Sequence, residues 1–145
     1  MARRTQRAAQ PEGGDDRSDA RERALILLYE AESKAITPSE VLAGQVLEVD
    51  PLAAELVRGV ETNLQRLDDT IAAHSKGWTL QRMPAIDRTV LRIAGFELLG
   101  RPDVPVAVVL DEAVELAKRF STDDSGKFVN GILATVARTA RPDGV

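Results

Sequence analysis

The stretch "VPVAVVLDEAVELAKRF", residues 104–120, decides the fold class. Its first half, Val106 to Leu110, has the β-branched density of a strand. Its second half follows another period: Val109, Ala113, Leu116, Ala117 and Phe120 fall on one helical face. Read as a helix, the stretch has neighbours on both sides that agree with it. "RPDVP" breaks the chain before it, and the next segment is helical from about Ser125 to Arg138.

Working toward the N-terminus, "GWTLQRMPAIDRTVLRIAGFELL" predicts a short helical turn capped by Thr79. A stronger helix begins near Pro84, with Ile86, Val90, Ile93, Ala94 and Leu98 as its core stripe. Asp50-Pro51 is a start signal for a long helix to about Ser75, carrying Leu52, Leu56, Val60, Leu64, Leu67 and Ile71, and Gly77 stops it. Thr37, Pro38 and Glu40 make a capping box with a helix-compatible proline. From Ser18 or Asp19 as cap, Ala20, Ala24, Leu27, Leu28 and Ala31 share one face. Arg92 lies beside core positions and is expected either to pair with a carboxylate such as Glu97 or to serve as an RNA ligand. No segment alternates. The architecture is therefore all-α, about six or seven helices in antiparallel pairs.

Residues 1–17 lack a hydrophobic period and read as a disordered tail with a basic block (Arg3, Arg4, Arg7) and an acidic one (Glu12, Asp15, Asp16). Residues 18–140 form the helical domain, and residues 141–145 a flexible C-terminus. Across the 145 residues, 43% are hydrophobic and 3% aromatic, and the net charge is −4. That charge gives no general pull toward nucleic acid, so an RNA site has to be a local patch. Without cysteine, disulfides and thiolate metal sites are excluded. A single histidine, His74, leaves nothing from which to build a catalytic triad or a zinc cluster. It serves best at a helix C-terminus, where the dipole favours it. No glycine-rich phosphate loop, GxSxG or HExxH is present, and no cofactor is implied. No apolar run approaches the roughly 20 residues of a membrane span. The chain reads as a cytoplasmic non-enzyme.

Four stretches, "ARERALILLYE", "GWTLQRMPAIDRTVLRIAGFELL", "DVPVAVVLDEAVELAKRF" and "STDDSGKFVNGIL", closely resemble the NusB family in order and spacing. The resemblance covers roughly Ala20 to Val136. It implies two packed helical subdomains without catalytic activity. It also implies binding of the boxA RNA of rRNA operon leaders together with NusE, a small-subunit ribosomal protein, in a complex that helps RNA polymerase read through terminators.

By position, the family's N-terminal basic motif falls on Arg17 and Arg21, with Ser18 and Asp19 standing where further arginines are usual. Each missing phosphate contact weakens binding and lowers its salt dependence; Arg3, Arg4 and Arg7 offer substitutes. The other matching basic positions are Arg101, Lys118 and Lys127. Glu97, Asp124 and Phe128 match the NusE surface. The gap at Ser18 and Asp19 motivates a second reading, a NusB-fold adaptor that binds NusE but not boxA RNA. A homodimer that hides the RNA face is left open.

Single-stranded RNA is held by cations on phosphates and by stacking on aromatics. Of the five aromatics, Tyr29, Trp78, Phe96 and Phe120 are expected in the core, and Phe128 partly exposed. Within the last helix, Asn130-Gly131 places two poor helix formers one turn in. The expectation is that Gly131 permits close approach of a neighbouring helix and that Asn130 satisfies a buried backbone group. Ser125 or Asp124 is the expected cap. Arg21 is placed in an exposed first turn.

Overall fold

The computed structural model describes residues 14–145, so the basic block Arg3, Arg4 and Arg7 lies outside the described residues with Glu12, while Asp15 and Asp16 of the acidic block fall in the first helix. Among the described residues, seven α-helices and one 3-10 turn follow in order: α1 Gly14–Lys34, α2 Pro38–Ala43, α3 Pro51–Thr62, α4 Leu64–Ala73, the turn Leu80–Arg82, α5 Ala85–Gly100, α6 Val106–Phe120 and α7 Asp123–Ala140. No strand occurs among the described residues. The stretch Val106 to Leu110 is helical throughout, because its period places Val109, Ala113, Leu116 and Ala117 in the core.

α5 is the axis of the bundle, packing against α1, α3, α4, α6 and α7. Such a helix needs apolar surface on several sides, and Val90, Leu91, Ile93, Ala94 and Leu98 are all buried. α1–α4 assemble along one side of it, and α6 and α7 pair most extensively on the other. One contiguous core runs through both halves.

The local start signals act as the sequence predicts. Thr37 Oγ1 accepts from Glu40 N at 3.0 Å, and Thr37 N donates to Glu40 Oε1 at 2.8 Å, closing the capping box. Asp50 Oδ2 accepts from Leu52 N and Ala53 N at 3.0 and 3.2 Å. Gly77, at φ +92°, occupies the left-handed region that ends the helical path after α4. His74 ends α4, with Nδ1 2.8 Å from Thr70 O.

Several boundaries differ. α1 reaches back to Gly14, so Arg17 stands in a helix rather than in a tail. The long helix expected from Pro51 to Ser75 breaks at Asn63, whose backbone N and Nδ2 both donate to Gly59 O, at 3.1 and 2.8 Å. The break turns Leu64 outward, and it is 40% exposed rather than part of the stripe. The cap of α7 is Thr122, not Ser125 or Asp124: its Oγ1 accepts from Ser125 N at 3.0 Å. Arg92 pairs with Asp68, through two bonds of 2.8 and 2.9 Å, rather than with Glu97. The C-terminal residues are not loose at their root. Arg141 is buried and donates to five carbonyl oxygens, those of Glu97, Leu98, Arg101, Val104 and Val145. That fan ties the chain end to the α5–α6 connection, leaving these carbonyls satisfied without water.

Candidate functional site: a buried ion-pair node and an open charged cleft

The matched charged residues divide between two places. The first is inside the bundle, where α1, α5 and α6 meet. Arg21, expected in an exposed turn, is only 3% exposed. Its Nε and Nη2 donate to the two carboxylate oxygens of Glu97 at 2.8 and 2.9 Å, the bidentate geometry that suits guanidinium to carboxylate. Glu112 of α6 stands 3.7 Å from Arg21 Nη1. Burial by itself pushes the Arg21 guanidinium down. The hydrogen bond and charge of Glu97, with the charge of Glu112, outweigh burial and hold it above its ordinary pKa.

Glu97, matched to a partner surface, is 2% exposed and saturated by this contact. A side chain so enclosed cannot touch a partner in this conformation. Arg101 is also largely occupied, with Nη1 2.6 Å from Glu55 Oε2 and Nε 4.0 Å from Glu97 Oε2. The node therefore joins α1, α3, α5 and α6 through charges. Its period-based prediction failed because Ala20 and Ala24 mark the buried face of α1, and Arg21 sits one residue along from that stripe with a long enough stem to turn inward.

The second place is open. Lys118 in the last turn of α6 and Lys127 in the first turns of α7 are both exposed and line one cleft of about 690 Å³ with Asp111, Val114, Glu115, Asp123, Gly126 and Asn130. Neither lysine makes an ion pair among the described residues, whereas Arg21, Arg92 and Arg101 all do. Arg17 is likewise exposed on the first turns of α1. The structure thus brings Lys118 and Lys127 together, and sets Arg21 and Arg101 in the node instead.

Asp124 is exposed in the first turn of α7, and Phe128, half-buried, follows one turn later. The Phe128 ring meets Trp78 edge-on, with centroids 5.9 Å apart and an interplanar angle of 70°. Trp78 is 52% exposed, Tyr29 44% and Phe120 36%, so three aromatics expected in the core face solvent. Trp78 escapes the core because it lies between the Gly77 turn and the 3-10 turn, outside any helical face. Its isolation between Gly77 and Thr79 was the available signal. Phe120 carries Arg119 over its ring at 5.0 Å, and Arg119 in turn pairs with Glu22 at 3.0 Å.

Asn130 and Gly131 do not pack. Both are exposed, and a Cβ built on Gly131 meets nothing within 4 Å. No neighbouring helix comes close there, and the Asn130 amide, which lines the cleft, satisfies no buried backbone group. The expectation failed because α7 rests on α6 and α5 through Val129, Ile132, Leu133 and Val136, and residues 130 and 131 fall on the opposite side.

Architecture and site together define a helical binding domain, its charged groups divided between an internal clamp and an accessible cleft. The chain belongs to the NusB family, whose model matches residues 18–138. A relative from Saccharopolyspora erythraea, named transcription antitermination protein NusB, is 49% identical over 127 residues, covering 83% of this chain and 86% of its own. Among solved structures, T. maritima NusB aligns with a TM-score of 0.79 at 36% identity, covering 88% of this chain and 95% of that one. A crystal structure of antitermination factors NusB and NusE in complex with dsRNA aligns at 0.73 and 25% identity, covering 85% and 96%. Among the described residues, no helix is long and apolar enough to cross a membrane.

Proposed function

We propose that this chain is a cytoplasmic, non-catalytic transcription antitermination factor that binds boxA-type single-stranded RNA together with NusE and promotes read-through by RNA polymerase. Family membership over residues 18–138 carries the reading. In it, Arg17, Lys118 and Lys127 contact RNA phosphates. Exposed cations without an ion pair among the described residues give up no such partner when a phosphate arrives, and they supply the salt-dependent part of affinity. Asp124 and Phe128, with Trp78 against its edge, face NusE. Arg21, Glu97 and Arg101 support both surfaces from within by fixing α1 against α5.

The test is a titration of boxA RNA with and without NusE. Sequence-dependent binding that tightens in the presence of NusE is expected; RNA binding that is absent in both cases, or indifferent to sequence, overturns the reading. One observation favours a second reading. With Ser18 and Asp19 in place of arginines and Arg21 withdrawn into the core, the N-terminal basic motif is left with Arg17 among the described residues. An adaptor of that kind binds NusE in the same titration without RNA.

A further inference from the structure

We propose that Gly126 is a positioning residue for RNA binding: the missing side chain lets the stem of Lys118 lie across the first turn of α7 and hold its ammonium in the cleft beside Lys127. The inference rests on the reading of Lys118 as a phosphate contact. It starts from a close approach between the two helices. Gly126 is buried at the fourth position of α7, facing α6. A Cβ built there would stand 2.6 Å from Lys118 Cγ and 3.1 Å from Cδ, with Val114 Cγ1 at 3.4 Å. The first distance is shorter than carbon atoms tolerate, the second is tight enough that the stem has to give way slightly, and the third is ordinary contact. The conflict is thus with the lysine stem alone.

Glycine is a poorer helix former than alanine. Gly131 in the same helix shows that α7 as a whole does not require such residues for packing, since the space around it is open. At 126 the space is filled by the methylenes of an otherwise exposed lysine. Stems of this kind lie along apolar surface while their charge stays in water. What the contact fixes is direction.

Direction matters because the cleft has carboxylates of its own. Asp111, Glu115 and Asp123 line it together with the two lysines. Glu115 precedes Lys118 by three residues on α6, a spacing at which opposite charges meet on a helix surface. A lysine lifted off α7 is released toward that partner and neutralised. Seated against Gly126, it makes no ion pair among the described residues and remains available to a phosphate.

The experiment compares wild type, Lys118→Ala, Gly126→Ala and the double variant in the full chain. The probe is a single-stranded boxA RNA oligonucleotide, with Kd measured across a salt series and Tm recorded for each protein. One phosphate contact on a single strand contributes about 0.7 to the slope of log K against log salt, so its loss lowers affinity about fivefold at 0.1 M salt. Lys118→Ala is expected to lose this much. Gly126→Ala is expected to lose the same amount with Tm unchanged or raised, and the double variant to lose no more than either. Wild-type slope in Gly126→Ala beside a reduced slope in Lys118→Ala overturns the positioning role and leaves the RNA reading intact. A wild-type slope in Lys118→Ala overturns the RNA reading at that residue, and the inference with it. Should Gly126→Ala fail to fold, nuclear Overhauser contacts between the Lys118 γ and δ protons and the Gly126 α protons in the unmutated protein decide the geometry: their presence supports the seated stem, and their absence overturns it.

Discussion

Arg21 and Lys118 occupy matched basic positions, yet the protein uses them in opposite ways. Arg21 is enclosed at the junction of α1, α5 and α6, with both carboxylate oxygens of Glu97 on its fork. Lys118 lies along the outside of α7, with its charge uncommitted. A charge without water needs a partner at every donor, and in exchange it fixes the elements that supply the partners. A charge in water costs little to keep, and it is available. Basic residues aligned with one family motif can therefore be divided, by burial alone, into those that hold the fold and those that meet a ligand.

The strongest way to break this contrast is Arg21→Ala. Removing the guanidinium leaves the Glu97 carboxylate buried without its bidentate partner, with Arg101 Nε only at 4.0 Å, a class of change that costs about 3–5 kcal/mol. Thermal or denaturant unfolding should show a large loss of stability, and RNA binding should fall because less folded protein is present. A variant that keeps its Tm and loses only RNA affinity would restore Arg21 to the binding surface. Because the folded-state pKa is raised, the contribution of Arg21 is complete below the ordinary arginine pKa. It is lost only as pH rises through the higher folded value, so stability near neutrality is indifferent to this group. Replacing both partners, as in Arg21→Met with Glu97→Leu, should recover most of what the single change loses. Well-packed apolar pairs are often as stable as the ions they replace, and unfolding of the double variant checks the coupling.

How much of this was legible beforehand follows from what repeats along the chain. The stripes of α5, α6 and α7 are periodic, and period-based reasoning located them together with the caps at Thr37 and Asp50. The break at Asn63 is not periodic; it depends on one side chain reaching back to Gly59 O. The burial of Arg21 depends on Glu97, 76 residues away, which no local pattern on α1 contains. Trp78 and Tyr29 fall on or near apolar faces of the sequence pattern, but the turn at Gly77 and the outer side of α1 hold them in solvent. The matched residues themselves were legible through the family resemblance. Which of them are free was not.

A smaller effect, of opposite sign, is expected at Gly131→Ala. The position is helical, exposed and has open space where a Cβ would go, so the substitution relieves the helix of a poor former and should stabilise the protein by about 0.5–1 kcal/mol. Unfolding curves measure it directly. A loss of stability would mean that something packs on this face after all, and the contrast with Gly126, where space is filled, would disappear.

The smallest effect on stability, and the most telling one for the contrast, belongs to Lys127→Ala. The side chain is exposed and forms no ion pair among the described residues, so unfolding should change by less than about 0.5 kcal/mol. Its effect should be confined to RNA: the salt slope falls by about 0.7, uniformly across RNA sequences, because a phosphate contact carries no base information. Arg21→Ala and Lys127→Ala then form mirror images, one moving Tm with the salt slope of the folded protein intact and the other moving the slope with Tm intact. A Lys127→Ala protein whose slope equals that of wild type would leave the cleft without its second phosphate contact, and the division between holding and binding charges would rest on Arg17 and Lys118 alone.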